Sequence, residues 1–495
     1  MGGLLLGVDA GSTVTKAVLF DQAGAEVGQA SQRVPHSYPR PHHVERDQDE
    51  VWRVTCSVIR QVLATTGTRA ADVAGLAVTS HGDGIYLVDG AGRPTRPGVL
   101  SLDTRAAELL SQWRAGGQCA EALAVSGQEP WPGSPVSVLA WLAAHEPDVL
   151  ARTAYALAGK DVIKHRLTSI FTTDPTEASL SFTNVRTQAY DTETLRIFGI
   201  GQLSGLLPDV VPSGQVAGTV TRAAAAQTGL VEGTPVASGA HDVDCGAIGM
   251  GVISPGQLAI IAGTFSINEV VSDSVRVDER WHARNFVEAG RWMNMSISPT
   301  SATNLEWFVR TLAPRDAGAA DAFAFVESDL AAIESDPGEV IYVPFLYGSP
   351  YPVDASATFV GLRGWHERGH LVRAVMEGVV FNHRHHVDAL ADGFEVGDIR
   401  LTGGAVNSER WVRMFADTLG APVAVSTVGE ASALGSAMLA GIAVGAYADL
   451  PDAVKATVAE PAIWEPTSGG MARYEEQYRR YQGVVDAMRN VWAGR

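Results

Sequence analysis

Cysteine is scarce: Cys56, Cys119 and Cys245 are the only three, odd in number and far apart. That pattern excludes a disulfide framework and a Cys-type zinc site, and it fits a reducing compartment. Positive charge is also short. Lys and Arg number 37 against 55 Asp and Glu, a net charge of −18. No broad basic face is left for nucleic acid and no polybasic patch for a membrane. Long apolar runs are missing too. The nearest, Ala431 to Ala448, is uncharged but rich in Ala, Gly and Ser rather than Leu, Ile and Phe, and it reads as a tightly packed buried helix. The opening MGGLLLGVDAG has no basic n-region and an early Asp, unlike a signal peptide, and Leu6 spoils a myristoylation pattern. The expectation is a soluble, cytoplasmic protein with neither nucleic acid nor membrane as partner.

What the chain does have is core. With 46% hydrophobic residues over 495 positions, it has enough for two domains. The stretch Leu4 to Asp21 (LLLGVDAGSTVTKAVLFD) reads as an apolar strand, a Gly/Ser turn and a second strand. Gly11 permits a bend that Cβ would hinder, and Ser12 adds no bulk, so the turn can aim successive N–H groups at one point, which suits a phosphate. Asp9 enters as the strand ends, placed to hold Mg²⁺ directly or through water. Thr13 and Lys16 supply a hydroxyl and a mobile cation. The plainer reading is an ordinary first hairpin of an α/β protein, so the motif needs partners downstream.

Partners follow in order. Val73 to Thr79 is a buried strand leading to Ser80-His81-Gly82-Asp83-Gly84, and Val99 to Arg105 is a short apolar run ending in Asp103 and Arg105. Polar loops between strands are where α/β proteins place ligand contacts, so His81, Asp83, Asp103 and Arg105 become candidate polyol contacts. Asp103 with Arg105 could also be a solvated ion pair, and Asp83 a turn residue. Thr234 to Asp242 is a short strand, Val243 to Gly251 a small-residue helix, and the interdomain crossing is expected near here. Gln257 to Ser272 then repeats the opening pattern, with Gly263-Thr264 where Gly11-Ser12 stood. Arg368 to Leu390 is a long helix whose His383, His385 and His386 lack a nearby carboxylate in zinc spacing, so hydrogen-bonded helix-face histidines are expected. Ile399 to Leu401 ends in Gly403 and Gly404 before a helix, a place where a phosphate or flat ligand can approach backbone. The last helix, about residues 472–494, carries a Tyr/Trp stripe read as packing.

Phosphoryl transfer needs phosphates held by amides and Mg²⁺, and a base for the acceptor hydroxyl. Asp242 is the base candidate, because it stands between a strand and a helix whose N-terminus is expected to keep it ionised near pH 7. A plain N-cap is the alternative, and Asp244, in the first helical turn, ranks second.

From its first hairpin to its last helix the chain resembles the FGGY carbohydrate kinases, of the hexokinase/actin-like ATPase superfamily. The matching pieces are GVDAGSTVTKAVLFD, SGAHDVDCGAIGMG, the Gly263-Thr264 turn, EGVVFNHRHHVDAL, TGGAVNSERWVRMFADTLGAPV and EASALGSAMLAG. The resemblance implies an α/β fold of two ribonuclease-H-like domains, residues 1–240 (sugar and phosphate side) and 241–495 (adenosine side), with an active-site cleft between them and the last helix packing back on the first. It implies ATP and Mg²⁺ as cofactors, a small sugar or polyol as substrate and a homodimer as the family's habit. It puts the catalytic base at Asp242, the phosphate and metal end at Asp9 and Thr13, and the adenosine side at Gly403, Gly404 and Asn407. The loops SHGDGIYLVD and GVLSLDTRA look most like the L-xylulose kinase branch, near erythritol kinases, which would set His81, Asp83, Asp103 and Arg105 along the sugar. Two departures are present: His81-Gly82-Asp83-Gly84 where many relatives have Gln-Met-His-Gly, and Phe265 where many have Ser. Competing readings are an actin-like or chaperone-type ATPase and a sugar sensor without turnover.

Overall fold

In a computed structural model, residues 3–312, 319–333, 339–351, 355–426 and 428–493 are described. They form two compact units. The first is Met1–Ser254 with Val271–Asn294 and Val428–Ala459; the second is Pro255–Val270, Met295–Thr427 and Glu460–Arg495.

The first unit is built on the opening hairpin. Strands β1 (Leu4–Ala10) and β2 (Val14–Phe20) pair antiparallel, with β3 (Glu26–Arg33) antiparallel beyond them. Helix α1 (Gln48–Thr66) follows, then β4 (Val73–Ser80) in parallel with β1. Later come β5 (Val216–Thr219), β6 (Pro235–Ala237) and helix α2 (Asp242–Gly249). The sheet order is β5-β6-β4-β1-β2-β3, with β6 parallel to β4 and β5 antiparallel to β6. β1 is near-continuously apolar because both faces are covered. Leu6, Val8 and Ala10 share a core with Val51, Val54, Val58, Ile59 and Val62 of α1, as the alternation of side chains along a strand requires.

A second sheet repeats this plan. Strands β7 (Gln257–Ala262) and β8 (Ser266–Ser272) form an antiparallel hairpin next to β9 (Trp292–Ser298). Helix α3 (Arg368–Gly393) leads to β10 (Asp398–Gly403), parallel to β7, and helix α4 (Glu409–Leu419) to β11 (Val423–Val425), parallel to β10. β12 (Ala462–Trp464) closes the edge antiparallel. Among the described residues this sheet has seven strands, with His282–Asn285 at the edge beside β9; from the β7–β8 hairpin onward the order β8-β7-β10-β11-β12 has the first sheet's sequence of directions: a hairpin, two parallel steps, an antiparallel edge. The faint repeat in sequence is thus a repeat of topology, the ribonuclease-H-like plan twice over.

Residues 428–459, late in the chain, belong to the first unit. Helix α5 (Ala431–Ala443) packs on β1, β4 and α2. A Cβ on Gly7 would lie 2.0 Å from the Ala433 carbonyl oxygen, one on Gly435 2.0 Å from that of Cys245, and one on Gly249 2.0 Å from that of Ala431. Backbones meet there directly, which is why the run is Ala, Gly and Ser. Among the described residues no helix is long and apolar enough to cross a membrane. The last helix, α6 (Ser468–Ala493), lies in the second unit against α3 and α4, with Tyr478 and Tyr481 at 5.7 and 5.4 Å from Phe381. The compact units therefore differ from a single cut after residue 240. Residues 241–254 fall in the first unit, where α2 packs on α5, and the last helix falls in the second. Position 494 lies outside the described residues.

Candidate active site

At the end of β1, Asp9 stands opposite Lys16 of β2 across the hairpin. Gly11 and Ser12 are half-buried and Thr13 is exposed, so the turn faces outward. Two groups that no local pattern announced hold it. Arg46, buried, donates from Nη1 to the Gly11 carbonyl at 3.3 Å and from Nη2 to that of Ser12. Lys16 Nζ is clasped by both oxygens of Glu430 at 2.8 and 2.7 Å. Burial lifts the Asp9 carboxyl to about 6, against the pull of Lys16 and with help from Glu430. His81 buttresses the same turn: its backbone N–H and its Nδ1 lie 3.2 and 3.1 Å from the Ala10 carbonyl, and the Tyr86 hydroxyl sits 3.4 Å from Nε2. Burial lowers His81 to about 4, so it is neutral.

Asp242 is the first residue of α2, and His241 rather than Asp242 is the N-cap. The Asp242 side chain keeps 28% exposure, while His241 and Asp244 keep 4% and 3%. The imidazole stands between the two acids, Nε2 at 3.5 Å from Asp242 and Nδ1 at 3.6 Å from Asp244. It also lies against the first sugar-type loop, since a Cβ on Gly82 would fall 2.1 Å from His241 Nε2. The helix N-terminus was expected to keep Asp242 ionised, but burial outweighs it. Desolvation raises the carboxyl to about 7, opposed by His241 and the Val243 N–H and assisted by the charge of Asp9. Burial raises Asp244 well above the carboxylate range, so Asp242 is the open acid of the pair and Asp244 the interior one.

The other polar loop residues form two clusters. In the first, Asp83 accepts from Arg284 Nη2 at 3.2 and 3.4 Å. Arg284 in turn donates from Nε to Gln128 Oε1 at 3.0 Å and lies 5.5 Å from the Trp131 ring centroid. Burial raises Asp83 and Arg284 opposes the rise. In the second, Asp103 and Arg105 have no side-chain exposure, so their pair is a buried one, not a solvated one. Asp103 Oδ1 takes Arg105 N and Nε, and Oδ2 takes Arg105 Nη2 and Val44 N at 2.6 Å. Glu45 adds a bond to Arg105 at 2.7 Å. This cluster ties residues 44–46 to the loop after Val99, and Val99 bridges to Ile85 beside the Asp83 loop. Arg284 escaped the sequence reading because nothing in WHARNF distinguishes it from any strand arginine.

In the second unit the glycines divide by role. Gly403 has φ +94° and a Cβ there would meet the Ala262 carbonyl at 2.5 Å, so the β7–β10 pairing itself requires glycine. Gly263 has nothing within 4 Å of its Cβ position, and Gly404 only ordinary contacts, the Ala302 methyl at 3.5 Å and the Ala262 carbonyl oxygen at 3.8 Å. Neither is demanded by packing. The Thr264 carbonyl accepts from Thr303 Oγ1 at 3.3 Å, and Asn407 is exposed just before α4. His383 bonds Ser266, Asn268 and Ser301, and His386 bonds Ser296 and Ser298. Both are the hydrogen-bonded helix-face histidines expected. Among the described residues no group of three or more His, Cys, Asp or Glu could hold a metal ion.

The duplicated ribonuclease-H-like plan is matched by comparisons with known proteins, and these give the class: a sugar kinase. The model of the FGGY carbohydrate kinase N-terminal domain matches residues 4–249 and that of the C-terminal domain residues 258–444; the chain belongs to this family. It is similar to a probable L-xylulose kinase of Pasteurella multocida, 32% identical over 98% of this chain and 99% of that one. It is also similar to the L-xylulose/3-keto-L-gulonate kinase of Escherichia coli, 31% identical over 99% and 98%. The crystal structure of xylulose kinase from Rhodospirillum rubrum superposes with a TM-score of 0.89 at 27% identity, covering 99% of both chains.

Proposed function

We propose that the chain transfers the γ-phosphoryl group of MgATP to a terminal hydroxyl of a ketopentose, L-xylulose or a similar pentulose, in the cytoplasm. The observation that carries the proposal is Asp242: an open carboxyl at a helix start, titrating near neutrality beside the Asp83 loop. As general base it takes the proton of the acceptor hydroxyl; that oxygen bonds to the γ-phosphorus, the bond to the bridging oxygen breaks, and ADP leaves. His241, standing 3.5 Å from Asp242 and 3.6 Å from Asp244, is the positioning residue for the base. Asp83, held by Arg284, hydrogen-bonds sugar hydroxyls, with Asp103 and Arg105 shaping the same side from behind. Asp9 fits Mg²⁺: its half-buried carboxyl accepts no hydrogen bond from the described residues, and Mg²⁺ commonly rests on one carboxylate, water and phosphate oxygens. The ion would neutralise charge on the transferred phosphoryl group. Gly11, Ser12, Thr13 and Lys16 bind phosphate. Gly263, Thr264, Gly404 and Asn407 bind the nucleotide, with Gly403 shaping the turn.

Coupled ADP release across L-xylulose, D-xylulose, L- and D-ribulose, erythritol and glycerol tests this. One pentulose should exceed the rest; erythritol winning would keep the mechanism and move the substrate, and silence across the panel would reject the acceptor class. Arg284 Nη1 is buried without an acceptor among the described residues, which favours adding 3-keto-L-gulonate, whose carboxylate could accept from it.

A further inference from the structure

The second unit holds a cavity of about 340 Å³ lined by none of the residues assigned above. Its wall carries four arginines from three helices: Arg373 of α3, Arg410 and Arg413 of α4, and Arg473 of α6. In a chain of net charge −18, such a concentration in one recess needs a reason. Three of the four meet carboxylates among the described residues, and the fourth, Arg413, does not. Glu377 meets Arg473 at 3.3 Å and Arg373 at 3.9 Å, and Glu327 meets Arg410 at 3.2 Å. Asp417, also in the wall, has Oδ1 committed to the Thr467 N–H at 2.6 Å and hydroxyl at 3.1 Å. Arg413 meets no carboxylate among the described residues; it donates to the Glu465 carbonyl at 2.6 Å and stacks 4.8 Å from the Trp464 ring. Arg473 Nε is buried without an acceptor, and Arg373, at 6% exposure, sets a cation at the base. Gly469 and Gly470 at the start of α6 line the same space, with the Asp417 carboxylate against the first turn, 2.1 Å from where a Gly470 Cβ would fall.

We propose that this recess binds a small polyanionic metabolite, a phosphate ester or a di- or tricarboxylate, at a site separate from the acceptor and nucleotide residues. The volume is at the lower end for small-molecule sites and too small for a polymer. Guanidinium forks present paired N–H donors that match phosphate and carboxylate oxygens two at a time, which lysines would not.

Calorimetric titration of the full chain in metal-free buffer, with pyrophosphate in one arm and citrate in the other, tests it. At least one probe should bind saturably, and which one binds distinguishes the two anion types. Arg413→Gln and Arg473→Gln should each weaken that binding about tenfold or more, and Arg413→Gln should keep the thermal midpoint near wild type because its side chain is partly exposed and meets no carboxylate among the described residues. Arg413→Lys, which keeps the charge and loses the fork, should fall between. Lys16→Met, in the phosphate-facing turn of the first unit, should leave binding intact. Absence of binding at millimolar probe, binding that survives both glutamine variants, or binding lost in Lys16→Met alone would each overturn the proposal.

Discussion

The two hairpins occupy the same place in two sheets of the same order, yet they carry different cargo. In the first unit, Asp9 and Lys16 face each other at the hairpin's end, pinned by Arg46 and Glu430. In the second, the turn is one residue shorter, with Ala262 opposite Ser266. Ile261 stands before Ala262 where Asp9 stands before Ala10, and the polar side chains nearby, Ser266 and Asn268, are spent on His383 of α3. One hairpin presents charge and the other presents backbone. The two copies of the hairpin therefore differ: ionisable side chains gather at the first, while the second presents backbone and an uncrowded turn glycine.

That contrast is breakable. The largest effect should come from Asp242→Asn, lowering kcat by roughly 10²-fold or more, the scale of losing a general base, with nucleotide affinity kept. Thr264→Val in the second hairpin should change kcat far less, because only its carbonyl is engaged; equal losses would erase the distinction. Next, Gly403→Ala should destabilise the second unit by roughly 1–3 kcal/mol, since φ +94° and the Ala262 carbonyl both oppose a side chain. Gly404→Ala should stay within about 0.5 kcal/mol of wild type in a denaturant melt. The smallest structural effect belongs to Gly263→Ala, whose Cβ meets nothing. Its stability should be unchanged, so a raised KM for ATP would locate a phosphate at that turn, and an unchanged KM would remove Gly263 from the site.

Much of this was legible in the sequence because local chemistry announces it. The β1–β2 hairpin, the small-residue helix α5, the helix-face histidines and the aromatic stripe of α6 all follow from periodicity and composition. Arg46, Glu430, Arg284 and His241 were not legible, because each acts through a partner distant in sequence, Lys16 and Glu430 being 414 positions apart. The raised titration point of Asp242 was not legible for a related reason. A helix N-terminus is visible in sequence, whereas the packing that desolvates the carboxyl is not. Asp103 and Arg105 show the same limit, since a loop Asp-x-Arg reads as solvated until Val44 and Glu45 close over it.

The role of Asp242 is tested most directly by the pH dependence of kcat/KM for the best acceptor, in wild type and in Asp242→Asn. Only the ionised base accepts the hydroxyl proton, and burial holds Asp242 at about 7. The wild-type rate should therefore rise about tenfold per pH unit below that point and level off above it. The residual activity of Asp242→Asn should lack that inflection. A flat wild-type profile from about pH 6 to about pH 8, or an inflection that persists in Asp242→Asn, would place the base elsewhere.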